Sequence, residues 1–365
     1  MSRFKGQAVI RFAEIAAYIE QIANSLTAHN MVLTVVSGGY DLVSTFGIAS
    51  VRVVPGELHL TVEADEASSF NRLKHDFTGL IQFVARDVLL DITWTGDTIG
   101  DALPPDLRVL TVVEIDDLSP NWRRITFKGD NLGRYANPDQ IHGRLLFQAK
   151  DVTVPEWPKL DDHGRIVWPK AGKLSSRIYT IRSVDVAAGQ LTIDFFVHVG
   201  RGPGNDWVRA AAPGDIVGIL GPAALGRQAA DWYLFAGDET GLPGIARLLE
   251  DLPETATGIA FIEVGKVGDE LPLRPPAGVE VRWLYRGDAA VGTTALLADA
   301  VTAVALPPET QIFCWVGAEY SSFRTIRKYL RTAGIPPARL VAFSHWRKGM
   351  SEEDIVEAGA ASVTD

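Results

Sequence analysis

The chain has 365 residues, of which 47% are hydrophobic and 22% charged, and at about 150 residues per domain this length predicts two to three domains. These are the proportions of an ordinary globular protein, which excludes disordered, collagen-like and coiled-coil classes. The formal net charge is −10, from 35 Lys and Arg against 45 Asp and Glu, which argues against a broad nucleic-acid-binding surface but permits a local basic pocket.

Membrane insertion and metal binding are also disfavoured. No run of about 18 apolar residues is present, so no membrane-spanning segment is predicted. Arg11, Glu14 and Glu20 interrupt the apolar core that a signal peptide needs. Cys314 is the only cysteine, which excludes intrachain disulfides and cysteine-ligated zinc or iron–sulfur sites. We therefore predict a cytoplasmic protein without a metal site.

Residues 1–97 predict a small α+β domain. Apolar residues at helical spacing indicate two amphipathic helices, and short alternating runs indicate strands. In chain order these elements are a helix at 12–26, strands at 31–36, 51–54 and 57–62, a helix at 70–84 and a strand at 89–95. The polar, Pro- and Gly-containing segment 98–106 then predicts a linker.

Residues 107–228 carry many strand signals and few helix signals. Residues 191–199 alternate apolar and polar side chains, as in a half-buried strand. Several short strands at this spacing predict a small antiparallel β-barrel.

Residues 229–365 change to alternating strand and helix patterns. The predicted strands are 232–236, 258–264, 279–285, 311–316 and 340–345, and the predicted helices are 241–252, 293–304 and 322–332. This alternation predicts an α/β domain with a parallel sheet, a fold that binds nucleotides at the carboxyl ends of its strands.

The barrel region contains a strand with the residue types that a flavin dinucleotide needs. Arg177 and Arg182 could neutralise a pyrophosphate, Tyr179 could stack on a ring system, and Thr180 could hydrogen-bond near a redox-active nitrogen. The alternative is an edge strand with solvated arginines.

A glycine-rich segment leaves the next strand and enters a predicted short helix. Backbone amides at such a helix start can bind phosphate with help from the helix dipole. The residues concerned are His198, Gly202, Pro203, Gly204, Asn205 and Trp207. The alternative is a barrel corner that needs the freedom of glycine.

The turn after the first parallel strand is the expected phosphate position of the α/β domain. Thr240 is suited to cap the following helix, and Gly237 and Pro243 flank the turn. Asp238 and Glu239 would repel a pyrophosphate, so they are better suited to hydroxyl recognition or to the helix dipole.

The segment 321–350 carries seven cations and no acid, namely Arg324, Arg327, Lys328, Arg331, Arg339, Arg347 and Lys348. It is either a solvated helix face or an attraction site for an anionic ligand. His75 and Cys314 are predicted to be structural, and Asp161, Asp162 and His163 to form a turn.

Together these segments resemble the siderophore-interacting protein family, flavoproteins related to ferredoxin–NADP reductases. The matching stretches are 177–182 (R-x-Y-T-x-R), 198–207 (HVGRGPGNDW), 237–243 (GDETGLP), 315–319 (WVGAE), 322–331 and 345–349. Their order and spacing match over 107–354. Residues 4–96 resemble a small bacterial domain of unassigned function, which we interpret as a docking or regulatory module, with a protein partner, or as a packing partner.

The resemblance implies a six-stranded FAD-binding barrel, an NAD(P)H-binding domain and electron transfer to iron held by a siderophore. It assigns Arg177 and Arg182 to FAD phosphate or ribityl contacts, Tyr179 to ring stacking and Thr180 to the isoalloxazine edge. His198 and Gly202 to Asn205, with Trp207, would form a second FAD segment. The nicotinamide cleft would be lined by Gly237, Asp238, Glu239, Thr240, Pro243 and Glu319, with Trp346 near the flavin face.

No proton-transferring catalytic residue is implied. Lys173, Arg347 and Lys348 are the candidates for steering the anionic ferric siderophore. His345 departs from the family's usual Tyr, Gly204 and Asn205 from Ala-Ser, and Gly241 from Ala. The leading hypothesis is an NADPH- or NADH-dependent ferric-siderophore reductase. The alternatives are a reductase of flavin, quinone or a protein carrier, and a non-catalytic flavin- or siderophore-binding module.

Overall fold

The computed structural model of the protein describes residues 3–29, 31–100, 102–149, 152, 154–170, 174–198, 200, 202–223, 226–308, 310–350 and 354. Its contacts divide the chain into two compact units. The first unit comprises Met1–Leu107 and Thr153–Lys173, and the second comprises Arg108–Val152 and Leu174–Asp365. No helix in these described ranges has the length and apolar content that crossing a bilayer requires.

The elements follow one another in three groups. The first group is β1 (Phe4–Arg11), α1 (Ile15–Ala28), β2 (Val32–Val36), β3 (Gly39–Ser44), β4 (Gly47–Val54), β5 (Glu57–Ala64), α2 (Ala67–Val84) and β6 (Trp94–Gly96). The second is β7 (Leu107–Ser119), β8 (Trp122–Lys128), β9 (His142–Phe147), β10 (Lys159–Leu160), β11 (Ile166–Val167), β12 (Ser175–Thr180), β13 (Ser183–Asp185), β14 (Gln190–Phe196), α3 (Pro203–Ala210) and β15 (Ile216–Ala223). The third is β16 (Trp232–Gly237), α4 (Leu242–Glu250), β17 (Thr257–Val264), β18 (Gly278–Tyr285), α5 (Leu296–Thr302), β19 (Ile312–Glu319), α6 (Tyr320–Thr332) and β20 (Leu340–Trp346).

The first group folds as the predicted α+β domain. Its antiparallel sheet has the order β2-β3-β4-β5-β1-β6. Leu58, Leu60 and Val62 of β5 are buried and alternate with more exposed residues, because one face of the sheet is covered and the other is not. Phe70 and Phe77 of α2 are buried in the same core.

The hairpin β10–β11 packs on this domain, whereas the sequence assigned residues 153–173 to the barrel. Lys74 of α2 donates from Nζ to the carbonyl of Asp162 at 2.8 Å, and Thr78 donates to the carbonyl of His163 at 3.1 Å. The backbone N–H of Trp94 donates to His163 Nδ1 at 3.1 Å. These contacts group the segment with the first unit. The predicted turn at Asp161, Asp162 and His163 is confirmed by the backbone N–H of Gly164, which donates to the carbonyl of Asp161 at 2.9 Å.

The second unit begins with the antiparallel barrel predicted from the sequence. Its sheet has seven strands in the order β12-β9-β15-β7-β8-β14-β13, one more than the six that the resemblance implied, and β13 has only three residues. The sheet curls so that Arg182, just after β12, donates its backbone N–H to the carbonyl of Thr192 in β14 at 2.8 Å.

The second unit ends with the predicted parallel α/β lobe. Its five strands have the order β18-β17-β16-β19-β20. Helix α4 packs on one face of the sheet, and α5 and α6 pack on the other. The strand order reverses between β16 and β19, so the carboxyl ends of these two strands mark the expected ligand crevice.

Candidate functional site

The carboxyl ends of β16 and β19 approach each other through glycines. A Cβ on Gly241 would lie 2.1 Å from the carbonyl oxygen of Gly317, and one on Gly237 would lie 3.0 Å from the same atom. The distance at Gly241 is too short for an alanine without a backbone shift, and the distance at Gly237 is tighter than an ordinary van der Waals contact. The glycine at position 241, where the family often has alanine, therefore permits a close backbone contact with Gly317 inside the lobe.

Asp238 ties three strand ends together. Its Oδ2 accepts from the backbone N–H of Glu319 at 2.8 Å and from Trp346 Nε1 at 2.9 Å. Its Oδ1 accepts from the backbone N–H of Thr240 at 2.8 Å and from the Thr240 hydroxyl at 2.6 Å. The side chain is buried. Four donors therefore hold this carboxylate at the edge of the sheet, which explains an acid where the sequence suggested phosphate.

A second acidic group lies beside it. Glu239 and Glu263 are both buried, and burial raises the pKa of each carboxyl above its ordinary value, although Arg286 lowers both. Arg286 pairs closely with Glu239 and lies 4.0 Å from Glu263, to which Thr294 also donates at 2.7 Å. These residues line a narrow pocket at the strand ends. Because Arg286 is paired with these two carboxylates, its positive charge is largely neutralised inside the pocket.

The residues at the end of β20 face opposite sides of the sheet. Trp346 points to Asp238, and a Cβ on Gly292 would lie 2.7 Å from its ring. His345 lies on the other side, against Trp315 of β19 and His142 of β9. His345 is therefore the residue of the pair that contacts the barrel, and the position predicted for Trp346 near the flavin face stays a prediction.

His142, Trp315 and His345 form what we call the junction cluster, where the barrel meets the α/β lobe. The His142 ring stacks on Trp315, with centroids 6.4 Å apart and planes 8° apart, and meets His345 edge-on at 5.6 Å. Neither ring nitrogen of His142, nor Nε1 of Trp315, has a hydrogen-bond partner among the described residues. An unsatisfied buried polar group costs about 1–3 kcal/mol, so three such nitrogen atoms in neighbouring side chains are an unusual arrangement.

Strand β12 and the start of α3 form a second feature, the β12 cradle, made of Arg177, Tyr179 and Gly204. Tyr179 packs edge-on against Phe195 of β14 at 4.7 Å. A Cβ on Gly204 would lie 2.3 Å from Tyr179 Oη and 3.3 Å from Arg177 Cγ. The first turn of the helix thus lies directly on both predicted FAD residues of the strand.

The loop before α3 is held by Asn205. Its amide nitrogen donates to the carbonyl of His198 at 2.8 Å, and its amide oxygen accepts the backbone N–H of His198 at 3.2 Å. Burial, with Arg209 nearby, lowers the pKa of His198. Gly202 and Pro203 stand at the helix start. Trp207 instead packs in the barrel core against Phe127 and Phe147.

Arg182 lies apart from the cradle. Its guanidinium pairs with both oxygens of Glu250 in α4, at 2.6 Å for the Nη1 contact, and lies 3.6 Å from Asp194. Asp194 is fully buried and also pairs with Arg124 at 2.6 Å. Two carboxylates therefore neutralise the charge of Arg182. The role predicted for Arg182 stays a prediction.

The steering cations are only partly described. Arg347 lies over the Tyr320 ring, with its guanidinium carbon 4.4 Å from the centroid, and Arg324 lies over the same ring at 5.7 Å. Lys348 donates its backbone N–H to Glu319 at 3.1 Å. Lys173 falls outside the described residues. Thr180 is buried at the end of β12, and Pro243 lies in the first turn of α4.

Sequence reasoning missed the junction cluster as a unit. His142 stands alone at the start of a strand and has no motif around it. Trp315 appeared only as part of a matching stretch. Outside the cluster, Arg286, the partner of Glu239, was also missed because it lies in no matching stretch. Only the β9–β12 register, which sets His142 opposite Thr180, makes the first of these recognisable.

Two family models match consecutive parts of the chain. Residues 111–225 match the siderophore-interacting FAD-binding domain and residues 230–349 match the siderophore-interacting protein. An uncharacterised protein of Mycobacterium tuberculosis is 34% identical over 264 residues, 68% of this chain and 92% of that protein. The ferric vibriobactin reductase ViuB of Vibrio cholerae is 29% identical over 251 residues (67% and 91%). The NADPH-dependent ferric-chelate reductase of Escherichia coli is 29% identical over 246 residues (66% and 92%).

Solved structures agree with this assignment. The siderophore-interacting protein SipS from Aeromonas hydrophila superposes with a TM-score of 0.61 at 29% identity, covering 71% of this chain and 98% of that one. A siderophore utilization protein from T. fusca gives a TM-score of 0.59 at 32% identity, with 70% and 97% covered. The chain therefore belongs to the siderophore-interacting protein family, and its cofactor is FAD.

Proposed function

We propose that this protein is a ferric-siderophore reductase that passes electrons from NADPH or NADH through FAD to siderophore-bound Fe(III). The observation that carries the proposal is that one compact unit contains two binding features. They are the β12 cradle and a parallel sheet whose strand order reverses between β16 and β19. The names of the relatives, ferric vibriobactin reductase and NADPH-dependent ferric-chelate reductase, support the choice of substrate class. We further propose that the protein works in the cytoplasm.

The residues present fit FAD. The β12 cradle supplies a cation, an aromatic ring and the N-terminus of an eight-residue helix, which are the features that bind a pyrophosphate and a flavin ring. The junction cluster adds buried nitrogen atoms without partners among the described residues. In this proposal Arg177 and the α3 amides hold the phosphates, Tyr179 packs on the ring, and Thr180 bonds the ring edge.

FAD suits the task because it accepts a two-electron hydride and can pass electrons on singly. The protein's part is to bind, orient and exclude water. Asp238 keeps the ends of β16, β19 and β20 in register, so the nicotinamide would meet a fixed edge. Glu239 and Glu263 beside that edge favour ribose hydroxyls over free phosphate, since Arg286, the cation next to them, is already paired.

Siderophores hold Fe(III) through hard, anionic oxygens, and reduction to Fe(II) weakens that binding, so electron delivery becomes iron release. Arg347 and Lys348, with Lys173, are the proposed steering cations. Arg347 is supported by its position over Tyr320, which leaves its guanidinium edges able to bind an anion.

An absorbance spectrum followed by anaerobic titration tests the proposal. The purified protein should be yellow, NADPH or NADH should bleach it, and an added ferric siderophore should restore the colour while an Fe(II) chelator traps the iron. Tyr179→Ala and Arg177→Ala should weaken FAD retention, whereas Arg227→Ala, which removes a surface pair with Asp251, should not.

Two competing functions predict other results. A flavin, quinone or protein-carrier reductase would reduce such acceptors faster than a ferric siderophore, and Arg347→Glu would leave its activity unchanged. A siderophore reductase should instead show a raised KM for the ferric chelate with Arg347→Glu and not with Arg331→Glu, the matched change at the end of α6. A binding module would hold FAD that neither nicotinamide bleaches.

A further inference from the structure

The start of β9 places a histidine where no motif required one. His142 pairs directly with Thr180 in the antiparallel register between β9 and β12. Thr180 is the residue proposed for the flavin edge, so its cross-strand neighbour shares the same end of the barrel. Only 4% of the surface of His142 is exposed.

The chemical state of this imidazole points to a missing partner. Both of its nitrogens lack a hydrogen-bond partner within the described part of the chain, and so does the indole nitrogen of Trp315 stacked on it. Buried polar groups are normally satisfied. Two neighbouring side chains with three unsatisfied nitrogens therefore indicate one shared ligand.

The surroundings hold the His142 ring in place and keep it neutral. Trp315 stacks on one side and Phe343 and His345 meet it edge-on. His345 is itself fixed by a bond between Nδ1 and the carbonyl of Thr240 at 3.1 Å. Burial lowers the pKa of His142 to about 3, and the charges of His345 and Arg247 act in the same direction. A neutral imidazole offers one donor and one acceptor.

We propose that His142 hydrogen-bonds the polar rim of the flavin ring from the strand opposite Thr180, with the Trp315 indole N–H as a second donor to the same rim. A flavin rim alternates carbonyl oxygens and ring nitrogens, so it presents both acceptors and a donor to such a pair. The inference rests on the proposed function only for the position of FAD against β12. The inference makes His142 a further residue that contacts the cofactor, and this hydrogen bond would influence the reduction potential of the flavin.

Flavin binding, spectrum and midpoint potential test this contact in the full-length protein. His142→Phe keeps a flat ring against Trp315 and removes both nitrogens. We expect FAD to dissociate about tenfold more easily, as for the loss of one hydrogen bond to a buried group, and the absorbance band and midpoint potential to shift. His142→Gln, which keeps a donor and an acceptor, should recover part of the affinity. His59→Phe, on a histidine of the first unit, is the matched control.

An unchanged dissociation constant, spectrum and potential in His142→Phe would overturn the inference and would mean that a buried water satisfies the ring. If His142→Phe does not fold, His142→Leu and Trp315→Phe, which each remove the proposed hydrogen-bonding nitrogens, carry the test, and normal FAD affinity and potential in both would overturn it equally. Ferric-siderophore reduction by the wild-type protein is a separate assay. Its failure would remove the proposed substrate and leave the flavin contact standing.

Discussion

At the scale of single residues, Asp238 illustrates how a side chain that looks misplaced in the sequence gains a reason in the fold. Two carboxylates at a predicted phosphate turn are unfavourable for binding a pyrophosphate, because like charges repel. The structure gives Asp238 four hydrogen-bond donors from three chain segments, while Glu239 meets a buried arginine. Both acids therefore organise the strand ends.

This arrangement predicts a specific loss for Asp238→Asn. An asparagine has one oxygen and one NH2 group, so the NH2 group would face either the Thr240 donors or those of Glu319 and Trp346. We expect a loss of about 2–3 kcal/mol in the free energy of unfolding, because two buried donors lose their acceptor. Thermal denaturation measures it. Glu280→Gln, at an exposed pair with Arg282, should change the melting temperature little, and equal effects in both variants would refute the role of Asp238.

His142 makes a second prediction, on stability against pH. Its pKa is about 3 in the folded chain against an ordinary value of 6.5. Above pH 6.5 the ring is neutral in both states and contributes nothing. Between pH 6.5 and 3 this histidine is protonated in the unfolded chain but stays neutral in the folded chain. The free energy of unfolding therefore falls by up to about 1.4 kcal/mol for each unit by which the pH is lowered.

Melting temperatures at pH 7 and pH 5 check this sign. The wild type should lose about 2 kcal/mol from this group over that range, and His142→Phe should lose correspondingly less. His345 and His198, whose pKa values burial also lowers, remain in the variant and keep part of the slope. Parallel pH profiles for the two proteins would contradict the prediction.

The sequence singled out Arg177 and Tyr179 of the β12 cradle because their strand carries the residue types that a flavin dinucleotide needs. It could not reveal on which side of the sheet Trp346 lies. The register between β19 and β20 shifts between Ala318 and Glu319, and such an irregularity reverses the side that a neighbouring residue faces. A shift of this kind has no local sequence signal.

At the scale of elements, α4 links the two parts of the second unit. Arg247 donates from Nη1 to the carbonyl of Ile181 at 2.6 Å and from Nη2 to that of Asn137 at 3.1 Å. Glu250, one turn later, receives the Arg182 pair. The helix that follows the first parallel strand therefore holds the barrel by side chains on one face.

A double-mutant cycle on Arg182→Gln and Glu250→Gln measures this link. Both side chains are largely covered and the contact is bidentate, so we expect a coupling free energy of about 1 kcal/mol, at the upper end for partly exposed pairs. Urea unfolding of the two single variants and the double variant gives the value. Strictly additive effects would mean that the pair contributes nothing.

The same variants separate stability from cofactor binding. If Arg182 serves only as the link to α4, both single variants should alter FAD affinity equally. A much greater loss of FAD with Arg182→Gln than with Glu250→Gln would instead support the phosphate contact predicted from the resemblance.

At the scale of the whole molecule, the sequence predicted three folding regions because the hydrophobic period changes along the chain. Alternation of apolar and polar residues predicted the antiparallel sheets, and the regular succession of strand and helix patterns predicted the parallel lobe. The docking of the hairpin could not be predicted in this way. Residues 153–173 carry only turn signals, and their partners, Lys74, Thr78 and Trp94, lie about 70 to 90 positions earlier in the chain.

The segment that contains the hairpin β10–β11 packs on the first unit and also joins β9 to β12, the strand with Arg177 and Tyr179. Removing residues 1–96 would delete the surface on which the hairpin lies. The predicted linker at 98–106 is therefore not the only covalent connection between the two units, and the barrel strand that carries the cradle begins where the first unit ends.

Gly164 is the position at which this docking can be tested with a matched control. Its φ is +73°, and a Cβ there would lie 2.7 Å from the backbone nitrogen of His75. Gly56 has a φ of +76° but nothing within 4 Å of its Cβ position. Gly56→Ala should cost only backbone strain, about 1 kcal/mol. Gly164→Ala should cost more and release the hairpin, so that trypsin cuts at Arg165 much faster in the folded protein. Equal cleavage rates and melting temperatures for the two variants would mean that the hairpin does not depend on its contact with α2.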